Sequence, residues 1–315
     1  MPQKALNQNS PILTFIGHVS IDKVENINGA KTQPGGGALY AAIAAKTLNA
    51  KTVIVSAIGK KFPFRKCFDR LDTRYIRTSS LPTAKFYIRY NQNWEAKYIE
   101  ANEGAGARIT VSQILPSLSK PQSAVHLAPM KPSKVARIVD NIRKRSPQVE
   151  ISMSSWAGYI EASRQRRNLL KLASQVDFFI LNEFEAKALA QTRYLPVALE
   201  RIKAKRLIVT MGKLGAIISG IDFETSMMPA LSVPTEKIVD TTGAGDVWSG
   251  AFLAAYKITN NLMKSVNVAS IMSSIKCSGW GFESIEKLSF LKPSDVVEYV
   301  FALREGSLQK KIPDF

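Results

Sequence analysis

The sequence predicts an α/β fold in which helices cover both faces of a mainly parallel sheet. The chain has 315 residues, 45% of them hydrophobic and 22% charged, which is an ordinary globular composition. Apolar strand-like runs alternate along it with helical patterns of roughly 10–15 residues, as they do in βαβ units. Because no internal repeat and no low-complexity linker interrupts this alternation, we expect one continuous domain over residues 1–315.

The strands of the sheet are expected where short apolar runs, rich in β-branched and aromatic residues, lie between turn signals. These runs cover residues 11–19, 51–59, 123–130, 149–155, 176–182 and 207–212. Helical patterns lie between them at residues 38–50, 133–146 and 164–175. Another helix is expected from the glycines before residue 247, because Val247, Ala251 and Ala255 fall on one helical face.

One segment departs from this alternation. At residues 85–101, Phe86, Ile88 and Tyr90 alternate with polar residues, an Asn-Gln-Asn turn follows, and Tyr98 resumes the alternation. This pattern predicts an antiparallel hairpin inserted into the α/β chain. Such a hairpin closes the edge of the sheet, forms an interface between subunits, or serves as a lid.

The net charge is the compositional feature that stands out. The chain has 43 Lys and Arg against 25 Asp and Glu, which gives +18. A charge of this sign suits nucleic acid, an acidic membrane surface or anionic small molecules. Two cysteines, Cys67 and Cys277, argue against a disulfide scaffold, and His18 and His126 add no zinc-ligand spacing.

The chain shows no membrane-directed segment. No run approaches the roughly 20 apolar residues of a membrane span. The first eleven residues, MPQKALNQNSP, lack the apolar core of a signal peptide. We therefore expect a cytoplasmic protein that does not contact a membrane.

The two commonest nucleotide-binding motifs are absent from the sequence. A dinucleotide fingerprint that starts at Gly35 would need its third glycine at the position of Tyr40. A P-loop needs Lys-Ser or Lys-Thr after its second glycine, which Gly212-Lys213-Leu214-Gly215 does not supply.

A third glycine motif remains at residues 240–246, Asp-Thr-Thr-Gly-Ala-Gly-Asp. Its Gly243-Ala244-Gly245 turn has little side-chain bulk and precedes a helix, so unpaired backbone N–H groups and the helix dipole favour an anion there. Asp246 in the first helical turn is then either a capping carboxylate or a general base. As a base, it would take the proton from a hydroxyl that attacks a phosphoryl group.

At this point the sequence resembles the PfkB/ribokinase family of carbohydrate kinases, which transfer the ATP γ-phosphate to a sugar, polyol or nucleoside hydroxyl. Five collinear motifs between residue 17 and about residue 285 carry the resemblance. They are GHVSID at 17–22, PGGGALYAAIAAKTLNA at 34–50, NEFE at 182–185, VTMGKLG at 209–215 and DTTGAGD at 240–246. The resemblance implies a ribokinase-like three-layer sandwich with a small β lid, formed by about residues 85–100 with segments near 23–34.

The resemblance also implies roles for the residues that act on the acceptor. Asp246 is the expected catalytic base, and the amides of Gly243, Ala244 and Gly245 are the expected anion hole. Four residues are expected to bind the acceptor, with Asp22 accepting hydrogen bonds from two hydroxyls: Asp22, Gly35, Gly36 and Tyr40. The alternative for Asp22 is a turn residue after a strand, and for the glycines a tight strand-to-helix turn.

For the nucleotide, the resemblance implies ATP and Mg²⁺. The residues expected at this cofactor site are Asn182, Glu185, Thr210, Gly212 and Gly215. Glu185 would bind the magnesium ion through water, because a carboxylate repels phosphates directly. The alternatives are a helix cap for Asn182 and Glu185 and an ordinary hairpin for the other three.

The acceptor stays open among several possibilities. Ribose-specific members usually carry Asn at the position of Tyr40, and the Gly-Gly-Gly-x-x-Tyr pattern is that of a subset with archaeal-type myo-inositol kinases. The first expectation is therefore myo-inositol or a related cyclitol or sugar. One alternative is a nucleoside, with Trp94 or Trp156 stacking on the base. The other is an inactive relative that binds nucleic acid, against which the intact Asp246 and Gly-Ala-Gly turn argue. The hairpin also allows a homodimer through paired lids.

Overall fold

The structure is a computed structural model, and it describes residues 10–118, 124–221, 223–230 and 238–309. Residues 1–9, on which the expectation of a missing signal peptide rests, lie outside the described residues. Position 123, which begins the third predicted strand, lies outside them as well.

Within the described residues, thirteen strands form two sheets. In chain order they are β1 (Ile12–Ile16), β2 (Ser20–Asn26), β3 (Gly29–Gly35), β4 (Lys51–Gly59), β5 (Asp72–Ser79), β6 (Ala84–Tyr90), β7 (Ala96–Asn102), β8 (Ala124–Leu127), β9 (Glu150–Ser154), β10 (Phe178–Asn182), β11 (Leu207–Thr210), β12 (Ala216–Gly220) and β13 (Phe223–Met228).

The helices alternate with the strands of the larger sheet. They are α1 (Gly37–Thr47), α2 (Val111–Ile114), α3 (Pro132–Arg145), α4 (Ala157–Glu161), α5 (Ser163–Ala173), α6 (Glu183–Leu189), α7 (Leu195–Arg201), α8 (Ala244–Thr259), α9 (Leu262–Lys276) and α10 (Ser294–Gln309). None of the described helices combines the length and the apolar character needed to cross a membrane.

The larger sheet has the order β13-β12-β11-β10-β9-β8-β1-β4-β5, and its strands are parallel from β11 to β5. Side chains alternate between two cores: Phe178 and Ile180 of β10 pack with α1, α8 and α9, whereas Phe179 and Leu181 pack with α3, α5 and α6. This two-sided burial is what period-2 alternation in a fully buried strand produces. The predicted α/β fold with a mainly parallel sheet is confirmed.

The smaller sheet has four strands in the order β3-β2-β6-β7. Strands β6 and β7 form the antiparallel hairpin expected near residues 85–101, with residues 91–95 as its turn. Strand β2 pairs antiparallel with β3 and parallel with β6. The hairpin is therefore part of a separate sheet and does not extend the edge of the larger one.

The predicted strand at residues 11–19 is wrong in its extent. Strand β1 ends at Ile16, and the chain resumes as β2 in the smaller sheet from Ser20. Gly17 has φ +157, and a Cβ on it would stand 2.8 Å from the Cβ of Ala128. The segment GHVSID therefore connects the two sheets, and Asp22 lies within a strand and not in a turn after one.

Helices α1 and α8 cross at a glycine, and this crossing positions the residues described below. A Cβ on Gly250 would stand 2.0 Å from the carbonyl oxygen of Ala41. The backbones of the two helices are therefore in direct contact at this point, as small residues at a crossing allow. The close approach brings the first turn of α8 beside the first turn of α1.

Candidate active site

A cavity of about 420 Å³ opens where β9, β10 and β11 end, facing the smaller sheet. In open α/β sheets this carboxyl edge is where ligands bind. Most of its lining comes from the starts of α1 and α8, the ends of the parallel strands, and strands β6 and β7. The cavity falls within the size range of small-molecule sites.

The start of α8 presents backbone amides to this cavity. Gly243 is the N-cap with φ +74, a left-handed conformation that favours glycine. A Cβ on Gly245 would meet nothing within 4 Å, so an anion has room to approach. Gly243, Ala244 and Gly245 all line the cavity. The amide of Ala244, predicted as part of the anion hole, donates instead to the carbonyl oxygen of Thr241 at 3.1 Å. The amides of Gly243 and Gly245 at the same helix start are the ones placed to hold an anion.

Asp246 stands in the first turn of α8 and lines the same cavity. Among the described residues, no side chain caps this helix, so the capping alternative is not what the structure shows. Gly37 lies opposite, and a Cβ there would stand 2.7 Å from Oδ1 of Asp246. Burial raises the pKa of Asp246 to about 7, which is the range in which a general base works best at neutral pH.

Asp22 brings a second carboxyl group to the cavity. It is only 3% exposed, and its Oδ1 accepts a hydrogen bond of 2.6 Å from the Ser20 hydroxyl. Burial raises the pKa of Asp22 to about 7; the Ser20 hydrogen bond opposes the rise and the charge of Asp246 adds to it. Two carboxyl groups that line one cavity can bind one acceptor and deprotonate it.

The three consecutive glycines at 35–37 have different contacts. A Cβ on Gly35 would stand 1.8 Å from Oδ2 of Asp22, and one on Gly36 would stand 2.2 Å from the carbonyl oxygen of His18. Gly36 is the N-cap of α1 with φ +102. Gly36 and Gly37 line the cavity, whereas Gly35 packs behind Asp22. Gly37, which the sequence analysis did not single out, is the glycine that contacts Asp246.

Tyr40 lines the cavity, but most of its side chain packs against other residues of the protein. The side chain is 1% exposed, and a Cβ on Gly243 would stand 2.5 Å from its Cδ2 atom. Its hydroxyl accepts a hydrogen bond of 3.4 Å from Nε2 of Gln33. Tyr40 therefore packs against Gly243 of the glycine turn. The sequence pattern did not predict this role.

A buried ion pair lies at the base of the same turn. Asp240 and Lys276 are both fully buried, and Nζ of Lys276 lies 3.1 Å from Oδ2 of Asp240. The ammonium group also donates to the Asp240 carbonyl oxygen at 2.6 Å, and the carboxylate accepts from the amides of Thr242 and Gly281. Burial raises the pKa of Asp240, but Lys276 and the hydrogen bonds outweigh it and hold that pKa below its usual range.

On the side of the cavity expected to bind the nucleotide, Asn182, Glu185 and Thr210 line the wall. Asn182 and Glu185 form a capping box at the start of α6: Oδ1 of Asn182 accepts from the Glu185 amide at 2.8 Å, and Oε2 of Glu185 accepts from the Asn182 amide at 3.0 Å. The capping alternative is thus present in the structure. It engages only one carboxylate oxygen of Glu185, whose pKa burial raises to about 7.

Gly212 and Gly215 lie in the turn between β11 and β12. Neither glycine is among the described residues that line the cavity. Gly212 has φ +56 and open space around it, whereas a Cβ on Gly215 would stand 1.9 Å from the carbonyl oxygen of Met228. The hairpin alternative therefore describes the local structure, since β11 and β12 pair antiparallel. The turn flanks the cavity next to Thr210.

Four aromatic side chains, called the aromatic wall below, form another part of the cavity lining. They meet edge to face, with centroids 6.3 Å apart for Phe86 and Tyr98, 5.0 Å for Tyr98 and Trp156, and 5.3 Å for Trp156 and Tyr159. All four residues line the cavity. Trp94, the other tryptophan considered above, lies in the turn of the hairpin at φ +62 and is not one of the described residues in the lining.

The residues present fit a magnesium nucleotide better than a metal held by the protein alone. The described residues contain no group of three or more His, Cys, Asp or Glu placed to hold a metal ion. Asp246 and Glu185 nevertheless line one cavity with the glycine amides. Carboxylate oxygens beside a phosphate site match the way Mg²⁺ binds, through one or two carboxylates, water and the phosphates of its ligand.

Comparison with known proteins gives a match at family level. The model of the pfkB family of carbohydrate kinases matches residues 12–285. The cytidine kinase of Thermococcus kodakarensis is 27% identical over 282 residues, which is 87% of this chain and 98% of that protein.

Solved structures show the same fold. A nucleoside kinase of Burkholderia thailandensis, solved in complex with ADP and inosine, superimposes with a TM-score of 0.73 over 93% of this chain and 95% of that one, at 16% identity. A ribokinase from Giardia lamblia gives a TM-score of 0.75 over 92% of this chain and 100% of that one, at 18% identity. The predicted ribokinase-like fold is confirmed.

Proposed function

The chain belongs to the pfkB family of carbohydrate kinases, and we propose that its phosphate acceptor is a nucleoside. As a member of this family it is an ATP-dependent phosphotransferase that acts on a hydroxyl group of a sugar or nucleoside. The nucleoside was the second possibility in the sequence analysis, after a cyclitol. The aromatic wall of the cavity is what favours a nucleoside over a cyclitol.

The aromatic wall carries this proposal. Phe86, Tyr98, Trp156 and Tyr159 line the cavity with ring faces and edges. A planar base can pack on one of these ring faces, and contact between a base and an aromatic ring is typically worth about 1–3 kcal/mol per base. A sugar or cyclitol gains less from such a wall, because its ring is puckered and has no π system to stack on the aromatic rings. Asp22 lines the same cavity next to Phe86, its partner across strands β2 and β6, and suits the hydroxyls of the ribose. The name of the Thermococcus relative points the same way.

In the proposed reaction, Asp246 accepts the proton of the acceptor hydroxyl as that oxygen attacks the γ-phosphorus of ATP. The new O–P bond forms as the bond between the γ-phosphorus and its bridging oxygen breaks, and ADP leaves with the bonding electron pair. Amides of Gly243 and Gly245 stabilise the charge on the transferring group, and the Ala244 amide, which donates to the Thr241 carbonyl oxygen, holds the turn in shape. Asp22 orients the acceptor, and Gly36 and Gly37 keep the approach open.

ATP and Mg²⁺ would bind on the side of the cavity that Asn182, Glu185 and Thr210 line. Bound Mg²⁺ would neutralise the charge on the ATP phosphates. Glu185 would hold it through water with the carboxylate oxygen that its capping box leaves unused. Thr210 and Asn182 would line the nucleotide pocket, and the turn with Gly212 and Gly215 would border it.

Other expectations stay predictions. A cyclitol acceptor rested on Tyr40, whose ring and hydroxyl are engaged with Gly243 and Gln33. A dimer through paired lids stays a prediction, which the exposure of every residue of the edge strand β7 supports. Closure of the smaller sheet as a lid and a cytoplasmic location likewise stay predictions.

The proposal is tested by offering acceptors one at a time with ATP and Mg²⁺ and measuring ADP release. The panel contains cytidine, uridine, adenosine, inosine, ribose, fructose and myo-inositol. We expect at least one nucleoside to exceed ribose and myo-inositol in kcat/KM by about tenfold or more, the factor that one base contact supplies. Turnover confined to a sugar or a cyclitol would contradict the proposal.

Two tryptophan variants form a matched pair for this test. Trp156→Ala removes part of the aromatic wall and should raise the KM for the nucleoside about tenfold or more. Trp94→Ala removes an indole of the same size from the hairpin turn, away from the cavity lining, and should leave that KM unchanged. Equal effects of the two variants would show that the wall does not bind the base.

A further inference from the structure

His18 lies in the connection between the two sheets, lines the cavity and has no role in the reaction described above. It is 6% exposed. Within the part of the chain that the structure describes, neither of its ring nitrogens has a hydrogen-bond partner. Buried polar groups in native proteins are nearly always paired. Two unpaired nitrogens at a ligand cavity therefore point to a ligand that pairs with them.

Contacts with the protein hold this imidazole ring in place but give its nitrogens no hydrogen bonds. Phe86 packs against it with centroids 6.5 Å apart at an interplanar angle of 69°. On another side, a Cβ on Gly106 would stand 2.0 Å from its Nδ1 atom. These contacts fix the position of the ring. Because Gly106 covers Nδ1, Nε2 is the nitrogen that the ring offers to another molecule.

Two neighbouring groups have the same property. The hydroxyl of Ser155 and the indole N–H of Trp156 are also buried and, among the described residues, have no hydrogen-bond partner. Both residues follow β9 and line the cavity together with His18. Unpartnered polar atoms thus come from two separate connections of the fold to one cavity.

The protonation state of His18 limits the chemistry of the ligand. Burial lowers the pKa of His18 to about 4; the charge of Glu103 opposes this shift and that of Lys134 adds to it. The imidazole is therefore neutral at pH 7, with one donor and one acceptor nitrogen. The Trp156 indole only donates, and the Ser155 hydroxyl does both. A matching ligand surface is uncharged, flat enough to lie by the aromatic wall, and carries both acceptors and donors.

We propose that His18, with Ser155 and Trp156, reads the hydrogen-bonding edge of an uncharged nucleobase and so determines which acceptors this kinase accepts. The inference rests on the proposed nucleoside function and adds residues that specify the base. A sugar or cyclitol in the same cavity would leave these polar groups unpaired, and a site with unpaired buried polar groups discriminates strongly against such ligands.

The test compares two His18 variants. His18→Phe keeps an aromatic ring beside Phe86 and removes both nitrogens. We expect it to raise the KM for the nucleoside roughly 10- to 100-fold, with the KM for ATP unchanged and kcat changed by less than about threefold, the signature of lost binding in ground and transition state alike. His18→Asn, which retains a donor and an acceptor, should recover part of this loss.

His126→Asn is the matched control. His126 is the other histidine of the chain; it is fully buried in the larger sheet beside Ser152 and is not among the described residues in the cavity lining. This variant should lower the melting temperature and leave the nucleoside KM unchanged. A further readout is the binding of ribose alone, which His18→Phe should not weaken because ribose has no base.

Three outcomes would overturn the inference. If the wild-type protein turns over nucleosides and His18→Phe leaves their KM unchanged, His18 does not read the base and the nucleoside function stands. If His18→Phe and His18→Asn raise the KM for ATP and for the nucleoside equally, His18 is structural. If the wild-type protein phosphorylates sugars or cyclitols and no nucleoside, the proposed function fails and this inference with it.

Discussion

Replacing Asp246 with asparagine is expected to leave the protein folded and able to bind ATP but to lower kcat by about 10²–10⁴-fold, the usual contribution of a general base. The amide has almost the same size as the carboxylate, so its contact with the start of α1 at Gly37 persists. It cannot accept the proton from the acceptor hydroxyl. The measurement is kcat with saturating ATP and acceptor, alongside the melting temperature.

The dependence on pH gives this prediction a second readout. Because burial raises the pKa of Asp246 to about 7, a growing share of the enzyme holds a protonated carboxyl group as the pH falls below 7. Wild-type kcat should therefore fall as the pH drops through about 7 and level off above it. The asparagine variant should show a shallower limb, because only Asp22 and Glu185, whose pKa burial also raises to about 7, then titrate in this range.

Asp140→Asn is the matched control, since Asp140 lies on α3 in an exposed ion pair with Lys144. It should leave both kcat and the pH profile unchanged. Near-full activity of Asp246→Asn, or an unchanged acid limb in that variant, would show that another group is the base.

Replacing Lys276 with methionine is expected to lower the free energy of unfolding by about 3–5 kcal/mol, because it leaves the Asp240 carboxylate buried without its cation. Both side chains of this pair are fully buried, so water cannot take the place of the ammonium group without a rearrangement. The same change should lower kcat, since Asp240 anchors the turn that carries Gly243 and Asp246 through its bond to the Thr242 amide. Urea unfolding and steady-state kinetics measure the two effects.

Two further variants separate the buried charge from the rest of the helix. Lys264→Met changes an exposed lysine in the first turn of the same helix α9 and should alter stability by less than about 0.5 kcal/mol. The double variant Asp240→Asn with Lys276→Met removes both charges and should be more stable than Lys276→Met alone. Loss of less than about 1 kcal/mol in Lys276→Met would contradict the assignment of a buried ion pair.

The sequence was informative where function depends on local chain geometry. The Gly-Ala-Gly turn needs a left-handed residue and a helix start within a few positions, so DTTGAGD could be interpreted without any tertiary structure. The buried strand β10, an unbroken apolar run before Asn182, was predictable for the same reason. The candidate role of Asp246 was predictable from its position in the first turn of that helix.

The rest of the site depends on contacts between distant parts of the chain. Lys276 lies 36 positions after Asp240 at the end of a helix, where a lysine is ordinarily solvated. His18 and Trp156 become neighbours of one cavity only through the packing of the two sheets. Strands β5 and β13 were not predicted either, and the half-exposed β5 has no regular alternation of buried and exposed residues.

The central claim is that this kinase transfers the γ-phosphate of ATP to a nucleoside hydroxyl by means of Asp246. It is tested most directly by incubating the protein with ATP labelled in its γ-phosphate and a nucleoside, and identifying the product by phosphorus NMR. We predict a labelled nucleoside monophosphate with the wild-type protein and almost none with Asp246→Asn. Labelled inorganic phosphate alone, or label found only on a sugar or cyclitol when all acceptors compete, would contradict it.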